Sequence, residues 1–359
     1  MWKMYINQCS DDSKVRECYF RAIFNRCYNL GFGSPRTDTC SKCTELQEKI
    51  KTSTDTTQKA NLMAEKRLHI LKTKAFYRLL KEVREDMVVF SFDCQKNQVL
   101  PKIPDQAAYY SRQLYIYNFA IVKSVPENTL GKETVTLYTW TEDEHRKGAN
   151  EIASAVYHRL QTTIFSQNMN TIRLVADGCG AQNKKSIMVG MCATWLSRAP
   201  PHIKKIELIF PIPGHSFIPP DRVFGLIEKE IKHMENIVQP EEYIEVYKNY
   251  GTVIHFDNVM DWKSALNGVI RPPANWHFQF AQMKKFFLRR NSSNNVIVQG
   301  EPNYNVEAGC YKSILKRGKS FLEVRPNQIN KHNVLVKQAK LHDVDNLLTK
   351  HYGSEWKDR

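Results

Sequence analysis

Two stretches of the chain share one pattern, an apolar run rich in β-formers that ends on an aspartate. In DMVVFSFDCQKN, Val88, Val89, Phe90 and Phe92 lead to Asp93; in TIRLVADGCGAQNKK, Ile172, Leu174 and Val175 lead to Asp177 and a glycine turn. Each predicts a strand that delivers a carboxylate at its C-terminal end, the edge where open α/β sheets carry their ligands. Between them, QLYIYNFAIV (113–122) and TVTLYTW (134–140) predict two more strands, and the run from about Gly148 to Ile164 predicts a helix. Beyond Asp177 the pattern predicts a helix over 183–198, a strand over 206–212 and a helix over 220–234. That last helix opens on Pro219-Pro220-Asp221, with proline where a first turn tolerates it.

The order βββαβαβα is the ribonuclease H-like order, an α/β class in which strands one, four and five run parallel and end together. The first turns of the following helices face the same edge, so Glu151 and Asp221 join Asp93 and Asp177 as a predicted acidic cluster. Taken singly, each acid has a plain reading as a turn or helix-start residue; their joint placement argues for a metal site. Clustered carboxylates stay ionised only beside positive charge, and hard divalent cations are the usual partner. Two Mg²⁺ or Mn²⁺ held this way imply phosphodiester cleavage or strand transfer on DNA. Glu228 shares a helical face with Asp221 but lies roughly 10 Å further along the axis, so Asp221 is preferred. His215, after Pro213-Gly214, is expected to orient a water or touch the scissile phosphate. Gln182, Asn183 and Lys184 are expected to bond the nucleic-acid backbone. The Gly178-Cys179-Gly180 turn lacks the third glycine of a dinucleotide fingerprint and no GxxxxGK[ST] loop occurs, which leaves nucleotide binding as the last of three readings.

The strings FNRCYNLGFGSPRTDTCSKC, YTWTEDEHRKGANEIAS, DGCGAQNKK and GHSFIPPDRVFGLIEK together resemble a family of transposon-derived proteins of insects and other invertebrates that carry a domain of unknown function. The resemblance runs from Trp2 to about Met234. The family's usual DxCxxQNKN ends in asparagine where this chain has Lys185. The resemblance implies a transposase core; a domesticated, inactive DNA-binding descendant is the alternative.

Charge agrees with a polyanionic partner. Lys and Arg number 52 against 37 Asp and Glu, for a net charge of +15. From Met260 to Arg359 the counts are 17 and 8, so most of the excess sits in the last hundred residues. Arg289, Arg290, Lys316 and Arg317, interleaved with aromatics, are the expected DNA contacts there. The absence of a long apolar run argues against a membrane partner, and no signal peptide opens the chain, so an intracellular and, on chromosomal DNA, nuclear location is expected. Homo-oligomerisation stays open.

Nine cysteines argue against a disulfide framework. Cys40 and Cys43, in CSKC after a Pro35 turn, have the spacing of a zinc knuckle. His69, in LHILKTKAFY, is the expected third ligand and recurs at a similar place in the resembled family; Cys27 or Cys18 is the fourth. The expected organisation is a helical domain over 1–85 with this knuckle, the catalytic core over 86–235, and a basic C-terminal region over 236–359, a helix followed by a small β-rich module.

Overall fold

The structure, a computed structural model, describes residues 1–28, 39–125, 130–180, 183–331 and 334–358; Pro35 and Gln182 lie outside them. Four helices come first: α1 (Trp2–Gln8), α2 (Glu17–Cys27), α3 (Ser41–Thr52) and α4 (Thr56–Lys81). Strands β1 (Met87–Cys94) and β2 (Gln98–Leu100), the short α5 (Gln106–Tyr110), β3 (Leu114–Lys123) and β4 (Val135–Thr141) follow. Then come α6 (Ala149–Thr162), β5 (Thr171–Ala176), α7 (Ser186–Arg198), β6 (Lys205–Ile209) and α8 (Pro219–Ile231). The chain closes with α9 (Pro240–Lys248), β7 (Thr252–His255), α10 (Trp262–Asn267), β8 (Lys285–Arg290), β9 (Val296–Glu301) and α11 (Gln338–Tyr352).

The described strands form one nine-stranded mixed sheet in the order β7-β4-β3-β1-β5-β6-β8-β9, with β2 on β3. Strands β1, β5 and β6 are parallel neighbours, while β3 is antiparallel to β1 and β4 to β3. Period-two alternation sorts the side chains to two faces. Phe90, Phe92, Leu174 and Leu208 pack with α6, α7 and α10 on one face. On the other, Val89, Val175 and Ile209 meet Ala75 and Phe76 of α4, and Ala120, Val122 and Leu137 meet α8 and α9.

Two departures from the sequence-based organisation follow. The helix α4 is part of the layer covering the sheet, with Phe76 fully buried against it, a contact of roughly 1.5–3 kcal/mol. The strands after residue 236 extend this same sheet: β7 runs parallel to β4, and β8 is antiparallel to β6 and carries β9. Within the expected β-rich C-terminal module, NVIVQG (295–300) forms most of β9, whereas SFLEVRP (320–326) contains a short 3-10 turn at Phe321–Glu323.

One ion pair interrupts the apolar face under α4. Arg173 of β5 donates to Glu207 of β6 at 2.7 Å and to Glu82 at 2.8 Å, and also to the Leu79 carbonyl at 2.8 Å. A cation at that carbonyl, which also accepts the Glu82 N–H at 3.4 Å, suits the dipole at the C-terminal end of α4. Burial alone would raise the Glu207 carboxyl, but Arg173 and Lys205 hold it below its ordinary value.

Removing the cation from a buried pair leaves an uncompensated charge, so Arg173→Ala should lower the urea-unfolding free energy by about 3 kcal/mol. The depressed Glu207 pKa contributes stability above the unfolded carboxylate pKa, and that stability is lost as pH falls through the folded value. The deficit of Arg173→Ala should therefore shrink in acid. A deficit under about 1 kcal/mol at neutral pH would show that the pair does not anchor α4.

Candidate functional site

Cys40 is the N-cap residue of α3 and Cys43 lies in its first turn, where the helix dipole favours thiolate. The 53–55 turn, with Asp55 capping α4 through the Thr57 N–H at 2.8 Å, reverses the chain so that His69 faces the cysteines. His215 arrives from the loop between β6 and α8. The sulfur of Cys40 is 3.4 Å from His69 Nε2, that of Cys43 is 3.3 Å from His215 Nε2, and the two Nε2 atoms are 3.0 Å apart. All four donor atoms lie within 4.8 Å of one another. Zinc–sulfur and zinc–nitrogen bonds in a tetrahedron would set nitrogen–nitrogen and nitrogen–sulfur separations of about 3.3–3.6 Å, close to those observed. The group could hold a metal ion of the zinc type.

Gly214 makes this approach feasible. Its φ is +77°, and a Cβ there would come within 2.9 Å of the Cys40 backbone and sulfur. Burial lowers the His69 pKa, with His215 adding to the effect, and burial raises the Cys43 thiol. The His69 imidazole is thus favoured as a neutral donor, while the Cys43 thiol needs a cation beside it to ionise.

His215 is therefore the fourth member that the sequence assigned to Cys27 or Cys18. Those two cysteines are exposed on α2. The expectation that His215 handles water or phosphate gives way, because its Nε2 is turned to Cys43 and His69. No local spacing announces it, since 146 residues separate it from His69.

The acids sort into three that meet and one that does not. In the β1/β5 register Phe92 pairs with Ala176, so Asp93 and Asp177 stand one step further on, side by side. Asp93 pairs in register with Ala120 on the face covered by α8, and Asp221 opens that helix. Asp221 accepts the Ile218 N–H at 2.8 Å; Asp177 accepts the Gly178 N–H at 2.7 Å. Burial first, then Asp177 and Asp221, push the Asp93 carboxyl up to about 6, and burial with Asp177 also raises Asp221. The three aspartates thus feel one another's charge, although they lie outside the groups whose donor atoms are all within 4.8 Å.

Glu151 is buried on α6, over the opposite face, and folds back to accept the Gly148 and Glu151 N–H groups at its own helix start. The capping use of a first-turn glutamate prevails there over a place beside Asp93. Glu228 is exposed and faces Tyr247 of α9, whereas Asp221 is influenced by Asp177. A second gathered group, Glu144, His255 and Asp257, already holds the Lys331 ammonium between its carboxylates.

Among the expected nucleic-acid contacts, Asn183 is buried and donates to Asp93 at 3.4 Å, and Lys184 follows it at the same edge. The C-terminal residues lie elsewhere. In the β6/β8 pairing Lys285 sits opposite Ile209 while Arg289 sits opposite Lys205, which puts Arg289 and Arg290 roughly 13 Å or more from the aspartate edge. Arg289 stacks on Tyr311 at 3.7 Å, and Arg290 donates to the Leu196, Ala199 and Pro200 carbonyls that end α7. Lys316 donates to the Asn267 carbonyl at 2.8 Å, and Arg317 is exposed. Among the described residues no helix is long and apolar enough to cross a membrane.

The raised Asp93 pKa carries a stability consequence with a definite sign. Below about 3.9, the unfolded value, Asp93 is neutral in both states; as pH rises through about 6 the folded state pays to ionise it. At pH 7.5, Asp93→Asn should raise the unfolding free energy by roughly 1–3 kcal/mol, and the gain should fade toward pH 4. Urea unfolding at both pH values checks this; an equal gain at both would rule out a buried, repelled carboxylate.

No curated protein matches the chain. Residues 128–303 match the model of a family described as a domain of unknown function, DUF7869. That span runs from just before β4 to just past β9, taking in Asp177, His215 and Asp221 and leaving Asp93, Cys40, Cys43 and His69 outside. Six of the nine strands, β4 to β9, lie within the matched span.

Proposed function

We propose that the chain is a ribonuclease H-like, transposase-type protein that cleaves or transfers strands of DNA with divalent metal, and that Cys40, Cys43, His69 and His215 hold a structural zinc. The observation that carries the catalytic reading is the meeting of Asp93, Asp177 and Asp221 at the C-terminal edge of the parallel β1, β5 and β6. Strand order β4-β3-β1-β5-β6 and its directions support the ribonuclease H-like assignment.

Three oxygen donors that repel one another are a fitting set for Mg²⁺ or Mn²⁺, which when bound would stabilise charge on the attacking and leaving oxygens of a phosphodiester. Asp93 and Asp177 would be its principal ligands, with Asp221 completing the set. Asn183 fixes the Asp93 carboxylate through its side-chain amide. The Ile218 N–H holds Asp221 in one orientation. The zinc group positions the loop from β6 to α8 that presents Asp221. A nuclear location follows from a chromosomal substrate.

A second reading, a domesticated DNA-binding protein without catalysis, is favoured by one observation: Glu151 is spent on its own helix start. The two readings part on Asp177→Asn. On the catalytic reading, Mn²⁺-dependent nicking of supercoiled DNA by the wild type should fall at least 100-fold in the variant while DNA binding persists. Nicking by both Asp93→Asn and Asp177→Asn at the wild-type rate would refute the assignment.

For the zinc group, purified protein should carry about one zinc per chain, and His215→Ala should lose it. Limited proteolysis should then cut the α3–α4 hairpin before the rest of the chain. Metal-free wild-type protein with an unchanged melting curve would remove zinc from the account.

A further inference from the structure

Among the described residues, three lysines from distant parts of the chain stand at the aspartate edge with no carboxylate at ion-pairing distance. Lys72 lies one helical turn beyond His69 on α4. Lys184 follows Asn183, whose amide donates to Asp93. Lys284 precedes β8, and its carbonyl accepts the Phe210 N–H at 2.9 Å, where the chain leaves β6. Lys184 Nζ donates to the Ala281 carbonyl at 2.7 Å and lies 6.0 Å from the centre of the Phe210 ring. All three side chains are half-buried.

Elsewhere the fold pairs such lysines: Lys285 faces Glu307 at 3.7 Å, Lys205 meets Glu207 at 2.8 Å and Lys340 meets Glu142 at 2.7 Å. Among the described residues Lys72, Lys184 and Lys284 have no carboxylate within ion-pairing distance. Burial and mutual repulsion depress the ammonium groups of Lys184, to about 8, and of Lys284, which Lys72 faces. Like charges drawn partly out of water beside one another are costly. Among the described residues no carboxylate comes within ion-pairing distance to offset that cost.

The neighbourhood indicates which anion. Lys184 is tied to Ala281, and Ala281 lines a cleft of about 630 Å³ walled by Trp276, His277, Phe278 and Phe280. Cations beside an aromatic cleft are the two halves of a single-strand nucleic-acid site, in which ammonium groups follow the backbone and a ring accepts a base. Lysine serves phosphate as a mobile point charge with three donors, and Lys184 retains two after its bond to Ala281.

We propose that Lys72, Lys184 and Lys284 bind backbone phosphates of an unpaired DNA strand at the aspartate edge, and that the 273–282 cleft receives one of its bases. This rests on the proposed function for the identity of the strand, but it concerns binding and stands whether or not the chain cleaves.

The test uses the full chain in buffer without added Mg²⁺ or Mn²⁺ and a fluorescent single-stranded DNA of about a dozen nucleotides, a length suited to such sites. The triple variant Lys72→Gln/Lys184→Gln/Lys284→Gln should bind about tenfold or more weakly, with the slope of log affinity against log salt reduced by about 2, since each phosphate contact contributes about 0.7. A matched control, Lys59→Gln/Lys229→Gln/Lys232→Gln on exposed positions, should lose little. Lys→Arg at the three sites should restore the slope, which separates charge from misfolding. An abasic strand with the same phosphates should bind more weakly with the slope unchanged. Equal losses in the two glutamine triples, or equal affinity for the abasic strand, would overturn the proposal. It would also fall if tripolyphosphate bound with the same lysine dependence while DNA binding did not change, which would make this a free-phosphate site. Loss of binding in a wild-type background that never nicks DNA would uphold this site and discard catalysis; nicking and binding both intact in the lysine triple would do the reverse.

Discussion

Two thiols and two imidazoles crowd within hydrogen-bond distance at the junction of α3, α4 and the loop that follows β6. The first three members come from one helical hairpin and the fourth from the strand-end loop that leads to Asp221. With a cation at their centre the four would form a cross-link between the helical layer and the aspartate edge of the sheet. Without one, the join rests on weak sulfur contacts and on the apolar seat of Phe76. The orientation of α4, and with it the position of Lys72, depends on that join together with the Arg173 anchor at the helix's far end.

Much of the framework was legible because it is written in local pattern. The strands ending at Asp93 and Asp177 are apolar runs closed by turn residues, and Pro219-Pro220-Asp221 marks a helix start by chemistry that needs no tertiary context. Where the reading failed, the deciding fact was non-local. His215 belongs to the cysteine pair only because a sheet carries it there and Gly214 lets it approach. Glu151 looked equivalent to Asp221, each being an acid in a first helical turn, but the two helices cover opposite faces, and a linear pattern does not say which face a helix will take. The strand β8 was hidden by its composition, KFFLRR, since charged ends on a short apolar run resemble a surface segment.

Charge was the least legible property of all. The sequence shows an excess of cations near the C-terminus and cannot show what each one faces. Arg290 serves the carbonyls at the end of α7, Arg289 covers a tyrosine, and Lys316 ties a loop. The antiparallel direction of β8 then separates its two ends, so that Lys284 shares an edge with Asp177 while the arginine pair points away. Net charge describes how the molecule meets a polyanion at long range, and strand direction decides which cations remain in reach once it arrives.

The wide spacing of the cysteine–histidine set also has a consequence in time. Cys43 precedes His215 by 172 positions, and at a synthesis rate of roughly 5–20 residues per second the gap amounts to roughly 10–30 s. Throughout that interval the nascent hairpin carries two cysteines and one histidine with no means of closing the set, open to oxidants and to ions of the wrong kind. The hairpin, made before the loop that completes its set, is therefore a segment whose place in the molecule is settled late, and its quality depends on the cell keeping those thiols reduced until that loop has been made.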